Sequence, residues 1–155
     1  MARQLICRGH GSRLRSRAGQ SLVEFSLVAV MLLIMFLFIV EMGRMVMVYT
    51  TVANAARAGE RYAIVHGSSR AAGTTVDSAS GPAADPAQVL NVVRNFASAG
   101  LITTSRLVVH ATYPGASNAP GQNVVVTAVY PYDPLTTYFS KTLRLGSSAQ
   151  GVIVF

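Results

Sequence analysis

Arg13-Leu-Arg-Ser-Arg-Ala-Gly19-Gln20-Ser-Leu-Val-Glu24-Phe25, followed by an apolar run to Val40, decides the architecture of this chain. The run from Leu22 to Val40 is 19 residues long, and its one charge is Glu24. No Pro or Gly interrupts it, and from Ala29 to Val40 every residue is apolar. As a helix rising about 1.5 Å per residue it spans roughly 28 Å, close to the hydrocarbon thickness of a bilayer. A helix apolar all round belongs in lipid or in a fully enclosed core. The bland alternative is a buried core helix, but 155 residues leave little core to surround one.

The flanks orient this segment. Residues 1–19 carry Arg3, Arg8, Arg13, Arg15 and Arg17 and no acid. Beyond the run come Glu41 and Arg44, then a nearly balanced stretch. The excess of arginine on one side places the N-terminus in the cytoplasm and the bulk of the chain outside. Removal as an ordinary secretory signal fits poorly. The apolar run exceeds the usual length, and the nearest small-x-small pattern, Ala53-Asn54-Ala55, lies well past it.

Gly19 offers a different cleavage point, at the cytoplasmic edge of the apolar helix. Cleavage there removes the basic leader and keeps the membrane segment. Gly lets backbone fit closely into a protease cleft. Gln20 becomes the new N-terminus, and Glu24, expected in the first helical turn, becomes its fifth residue. A carboxylate in lipid is costly and calls for a cation. The new terminal amine of a neighbouring subunit would supply one, and the helix dipole also favours the charge. The plainer reading makes Glu24 an interfacial dipole residue only.

Three segments at this spacing resemble the TadE-like minor pilins, or pseudopilins, of the tight-adherence (Flp, type IVb) pilus system. They are Gly19-Gln-Ser-Leu-Val-Glu24-Phe25, Glu41-Met-Gly43-Arg44, and Ala53-Asn-Ala-Ala-Arg-Ala-Gly-Glu-Arg-Tyr-Ala63. The resemblance covers about residues 13–65. It implies processing by a prepilin peptidase after Gly19, and an assembly role for Glu24 and Phe25. Phe25 stands where the major Flp pilins usually carry Tyr, which favours a minor component. The implied partners are the peptidase, other pilin and pseudopilin subunits, an inner-membrane assembly platform and the lipid bilayer. The implied location is the bacterial inner membrane, single pass, with a periplasmic C-terminal domain, or a pilus. The alternative is an unprocessed single-pass anchor presenting a small periplasmic or adhesive domain.

Composition agrees with a discarded leader. The formal charge is +7, but five of the 13 basic residues lie in residues 1–19, leaving 8 basic against 6 acidic residues. Nucleic-acid binding is therefore not expected, despite the basic total. Cys7, the only cysteine, lies in the leader and has no metal partner in sequence. His66 and His110 lie 44 residues apart with no acid at ligand spacing. No phosphate loop, Cys-His set or nucleophile elbow is present. We expect no catalysis, no cofactor and no metal.

From Glu41 to His66 the helical pattern turns amphipathic. Met45, Val48, Val52, Ala55, Gly59 and Tyr62 form one stripe, with Arg57, Glu60 and Arg61 opposite. Glu41 and Arg44 are three apart and can pair across a turn where the apolar run ends. The expected organisation is a basic leader over 1–19, a long helix over 20–66 with its membrane part at about 22–40, a flexible linker over 67–84, and a small domain over 85–155.

Within that domain Asp85 is expected as a helix N-cap with Pro86 in the first turn, a face of Val89, Leu90, Val93, Phe96 and Ala97, and Gly100 as the C-cap. Strands are expected over 106–113 and 122–130, the second stopped by Pro131, as an antiparallel hairpin. Residues 135–140 are ambiguous between a short helix and coil. Residues 143–155 read as a last strand or two, broken at Gly146 and Gly151. The fold class is α+β: a long transmembrane helix whose amphipathic half carries one short helix and a small antiparallel sheet, a pilin-like arrangement.

Overall fold

The computed structural model describes residues 13–69, 81–100, 103–134 and 142–154. The chain divides into two compact units, Met1–Val40 and Glu41–Phe155. The first helix, α1, runs Arg13–Val65. It begins seven residues before the expected start at residue 20, because Arg13 to Gln20 contain no Pro and are rich in helix-favouring Leu, Arg and Ala. Its first turn holds no acid. Glu24 is therefore an interior helical residue of this chain, which corrects its expected first-turn placement.

In the first unit, the described side chains from Gly19 to Val40 are exposed on every face, with Ala29 alone half-buried. Leu22, Phe25, Met31 and Phe36 each expose more than three-fifths of their surface. Such a surface is incompatible with water over this length and matches a lipid-facing helix. By length and composition this is one candidate membrane span, and it fits a single-pass anchor.

The second unit is an α+β domain built on the other stretch of α1, Glu41 to Val65. Helix α2 (Ala87–Ala99) and a three-stranded sheet complete it. The strands are β1 (Val108–Thr112), β2 (Asn123–Tyr132) and β3 (Leu143–Val152), in the order β1-β2-β3. Both pairings are antiparallel. Val108 faces Val129 and Thr112 faces Val125 across the first ladder, and Asn123 faces Val152 across the second. The hairpin of the first two strands is the one expected from sequence.

The core lies where the sheet and α2 meet α1. Val52, Ala55, Ala56 and Ala63 of α1 are buried with Val89, Val93 and Ala97 of α2 and with Val109, Ala111, Val124, Val126 and Ala128 of the sheet. The amphipathic stripe read from sequence thus supplies the floor of the core. Its residues are small, so the layers approach closely. At Gly59 an added Cβ would overlap Val93 and lie 3.3 Å from Val126 Cγ1, so this position admits no side chain without repacking. Each buried valine contributes on the order of 1.5–3 kcal/mol, and the facing alanines let those valines reach one another.

Several boundaries differ from expectation. Pro86, not Asp85, is the N-cap of α2, and no side chain caps the helix. Asp85 has φ +55, and its carboxylate accepts instead from the Ala111 N–H at 2.8 Å. Phe96 is 45% exposed, so it leaves the expected apolar face. Gly100 does close α2, but at φ −89; its small size is needed because a Cβ would overlap Thr51. Residues 104–106 form a turn of 3-10 helix, so β1 begins at Val108.

Strand β2 continues through Pro131 to Tyr132. Pro131 is tolerated because β1 begins only at Val108, opposite Val129, leaving that edge of β2 beyond Val129 without a strand among the described residues. Strand β3 is one strand: Gly146 and Gly151 stay in register opposite Val129 and Val124. Residues 70–80 of the expected linker, and the ambiguous 135–140, lie outside the described residues.

Candidate functional site

The residues singled out in the anchor lie on α1 and face outward. Gly19, Gln20, Glu24 and Phe25 are all exposed, Phe25 at 72%. Nothing lies within 4 Å of the position a Cβ would take on Gly19. Ser26 donates to the Val23 carbonyl at 2.8 Å, so this hydroxyl is satisfied within the helix. Glu24 is the one charge on this apolar surface, and its carboxylate has no partner among the described residues. Each property follows from the sequence: a helix with no partner layer presents every side chain outward.

Glu41 and Arg44 belong to the second unit, and there the structure adds a residue that sequence reading missed. Tyr132, at the end of β2, is 2% exposed. Its hydroxyl donates to Glu41 Oε1 at 2.5 Å and accepts from Arg44 Nε at 2.9 Å. Arg44 Nη2 also donates to the Asp133 carbonyl at 2.6 Å, and the guanidinium carbon lies 4.8 Å from the Tyr132 ring centroid. The direct Arg44–Glu41 ion pair is long, 3.9 Å. The phenol between them carries the shorter contacts and joins helix to strand.

Asp133 extends the cluster. Its Oδ2 accepts from Arg106 Nη1 at 2.6 Å. Arg106, then Thr142, hold the Asp133 carboxyl below the usual carboxylate range, and Arg106 is raised in turn by the same bond. Burial first, and the bond to Glu41 second, push the Tyr132 hydroxyl above its ordinary range. Asp133, Arg44 and Arg106 therefore stay charged and the Tyr132 phenol neutral around neutral pH. Its available signal in sequence was the alternation Tyr130-Pro131-Tyr132, which continues the strand past the proline.

The histidines are held separately. His66 Nδ1 is 2.8 Å from the Tyr62 carbonyl, and its ring stacks on Tyr62 at 3.8 Å between centroids. His110 Nδ1 is 3.2 Å from Asp85 Oδ2. The Ala111 N–H first, and His110 after it, lower the Asp85 carboxyl. No group of three or more His, Cys, Asp or Glu gathers among the described residues as a metal site would require.

The geometry thus contains an exposed apolar helix with one carboxylate, and a domain whose helix and sheet are pinned by a Glu-Tyr-Arg cluster. No curated protein matches the chain. No solved structure matches it. A family model described as TadE-like protein matches residues 19–61, the segment that carries Gly19, Glu24, Glu41 and Arg44 alike. Over that segment the chain is similar to TadE-like proteins.

Proposed function

We propose that this chain is a minor pilin, or pseudopilin, cut by a prepilin peptidase between Gly19 and Gln20, and that it takes part in assembling a tight-adherence type IVb pilus or a related secretion apparatus. The observation that carries this reading is Glu24, the single charge on an otherwise apolar, outward-facing helix inside the family-matched segment. A carboxylate within hydrocarbon costs on the order of 2.5–3.5 kcal/mol on insertion scales, less near the interface. A cation from another chain offsets that cost and sets the axial register between subunits.

In this reading the anchor lies in the bacterial inner membrane with residues 1–19 cytoplasmic, and the domain from Glu41 onward is periplasmic or part of a filament. The partners are the peptidase, other pilin and pseudopilin subunits and the assembly platform. The protein carries out no chemistry of its own and holds no cofactor.

The test is Glu24→Ala, followed by cross-linking to pilus subunits and by the membrane level of the protein. The variant is expected to be cut and inserted but not co-assembled. Wild-type co-assembly by Glu24→Ala contradicts the pairing role, and loss from the membrane makes Glu24 an insertion determinant instead.

A further inference from the structure

We infer that the free edge of β3, from Arg144 to Val152, docks an extended segment of a second polypeptide of different sequence. The segment adds antiparallel, with a basic residue facing Gly151 and an acid seven residues later facing Arg144. The site uses residues of the second unit only.

In the order β1-β2-β3 the sheet has two outer edges. The edge of β1 is closed. The Asp85 N–H donates to the Ala111 carbonyl and the Ala111 N–H donates to Asp85 Oδ1, each at 2.8 Å, so Asp85 stands in for a further strand. The edge of β3 is closed only past its end, where the Val154 N–H donates to the Ile64 carbonyl at 3.1 Å. Its neighbour Ile153 donates inward, to the Gln122 carbonyl at 2.9 Å. Bonding alternates along an antiparallel ladder, so the N–H groups of Arg144, Gly146, Ser148, Gln150 and Val152 point away from β2. Among the described residues no strand pairs with them. This edge is 10 residues long, with no Pro and one charge, and so lacks the devices that keep strand edges from pairing.

Two charges give the occupant its chemistry. Arg144 is exposed, beside Pro131 on the sheet face away from α1, and has no partner among the described residues. Glu60 was read as a wet residue of α1, yet it is half-buried, and its carboxylate lies where a Cβ on Gly151 would stand. Ile64, one turn further on, meets both Gly151 and Val154, so Glu60 sits on the α1 side of β3 at its open margin. It too has no partner among the described residues. A half-buried carboxylate calls for a donor or a cation. An added strand lies about 4.8 Å from β3, within reach of both side chains. A second copy answers neither charge. Pairing β3 with itself about a two-fold axis keeps both α1 layers on one side of the sheet. The two longest such registers set Val152 or Gln150 opposite Arg144, and Leu145 or Leu143 opposite Gly151.

The experiment is amide hydrogen exchange by NMR on the full chain in detergent micelles, with the end-blocked peptide Thr-Lys-Val-Thr-Val-Thr-Val-Ser-Glu added. A second peptide exchanges its Lys and Glu. The outward amides of Gly146, Ser148 and Gln150 should exchange about tenfold more slowly with the first peptide, the protection of one net hydrogen bond, and should change little with the second. Ser148→Pro deletes an outward N–H and spares the bonds to β2, because Ser148 and Thr127 face each other as a non-hydrogen-bonded pair. It should abolish the protection while the amides of Ser147 and Ala149 stay slow. Glu60→Lys combined with Arg144→Glu should reverse the preference between the peptides. Outward amides already slow in the free chain overturn the site, as does protection by neither peptide, by both alike, or at β1 instead. So does protection that rises with chain concentration in the absence of peptide, which makes a second copy the occupant.

Discussion

Two stretches of one helix follow opposite rules. In Leu22–Val40 the large side chains, Leu, Ile, Met and Phe, are the exposed ones. In Glu41–Val65 the fully buried residues are Val52 and the alanines 55, 56 and 63. Size and burial are thus inverted from one stretch to the next. The first presents bulk to a surrounding that is itself apolar, where length and hydropathy decide the fit. The second uses small residues so that a sheet and a second helix can close on it. A helical sequence therefore reports its surroundings through the size of its apolar residues as well as their number.

The comparison breaks most severely if a carboxylate is moved between the stretches. Ala55→Asp places an unpaired charge at a fully buried position and should cost at least about 3–5 kcal/mol, as much as the whole stability of a small domain. Ile34→Asp, on the exposed stretch, should cost about 2.5–3.5 kcal/mol of membrane insertion and leave the domain folded. Limited proteolysis of the domain separates them: rapid digestion is expected for Ala55→Asp alone.

Tyr132→Phe comes next. It removes the hydroxyl shared by Glu41 and Arg44 while keeping the ring under the guanidinium. Hydrogen bonds to charged partners are worth about 1.5–3 kcal/mol, and a loss in that range is expected by denaturant titration. An unchanged midpoint would make the Glu41–Arg44 pair alone sufficient.

Two glycines of α1 sharpen the comparison. Nothing approaches a Cβ built on Gly43, so Gly43→Ala should gain up to about 1 kcal/mol of helix propensity. Gly59→Ala makes the same gain but meets Val93 and Val126, and overpacking of about 1–3 kcal/mol should outweigh it. Thermal unfolding should move the two variants in opposite directions.

The smallest effect is on acid stability. Asp85 and Asp133 both titrate below the ordinary value of 3.8 in the folded chain. Groups lowered in this way stabilise the fold above that value, and the stabilisation is lost as pH falls through it toward the folded value. Asp85→Asn keeps an oxygen to accept from Ala111 but removes the titration, so unfolding followed below pH 4 should show a shallower slope. A slope equal to that of the parent chain assigns the acid dependence elsewhere.

Much of this was legible because it is local. The unbroken apolar run gave the anchor, the period of three and four between Val48 and Tyr62 gave the packed stripe, and β-branched runs gave the hairpin. What escaped was set by distant neighbours. Asp85 looks like a cap in sequence, yet its carboxylate is taken by Ala111 across the fold. Pro131 looks like a stop, yet the β1 ladder reaches only to Val129 and asks no hydrogen bond of it. Gly146 and Gly151 look like breaks, yet both are held in register by β2. Tyr132 completes the Glu41–Arg44 cluster from 88 residues beyond Arg44, a separation that no periodicity reports.

The account turns on Gly19, and N-terminal analysis of the protein tests it most directly. The chain is isolated from a host with its prepilin peptidase and from the same host lacking it. The mature chain is expected to begin at Gln20 in the first and to retain the leader in the second, with Gly19→Leu reproducing the second result. An identical N-terminus in both hosts, or a chain beginning at Gln20 from Gly19→Leu, contradicts the account.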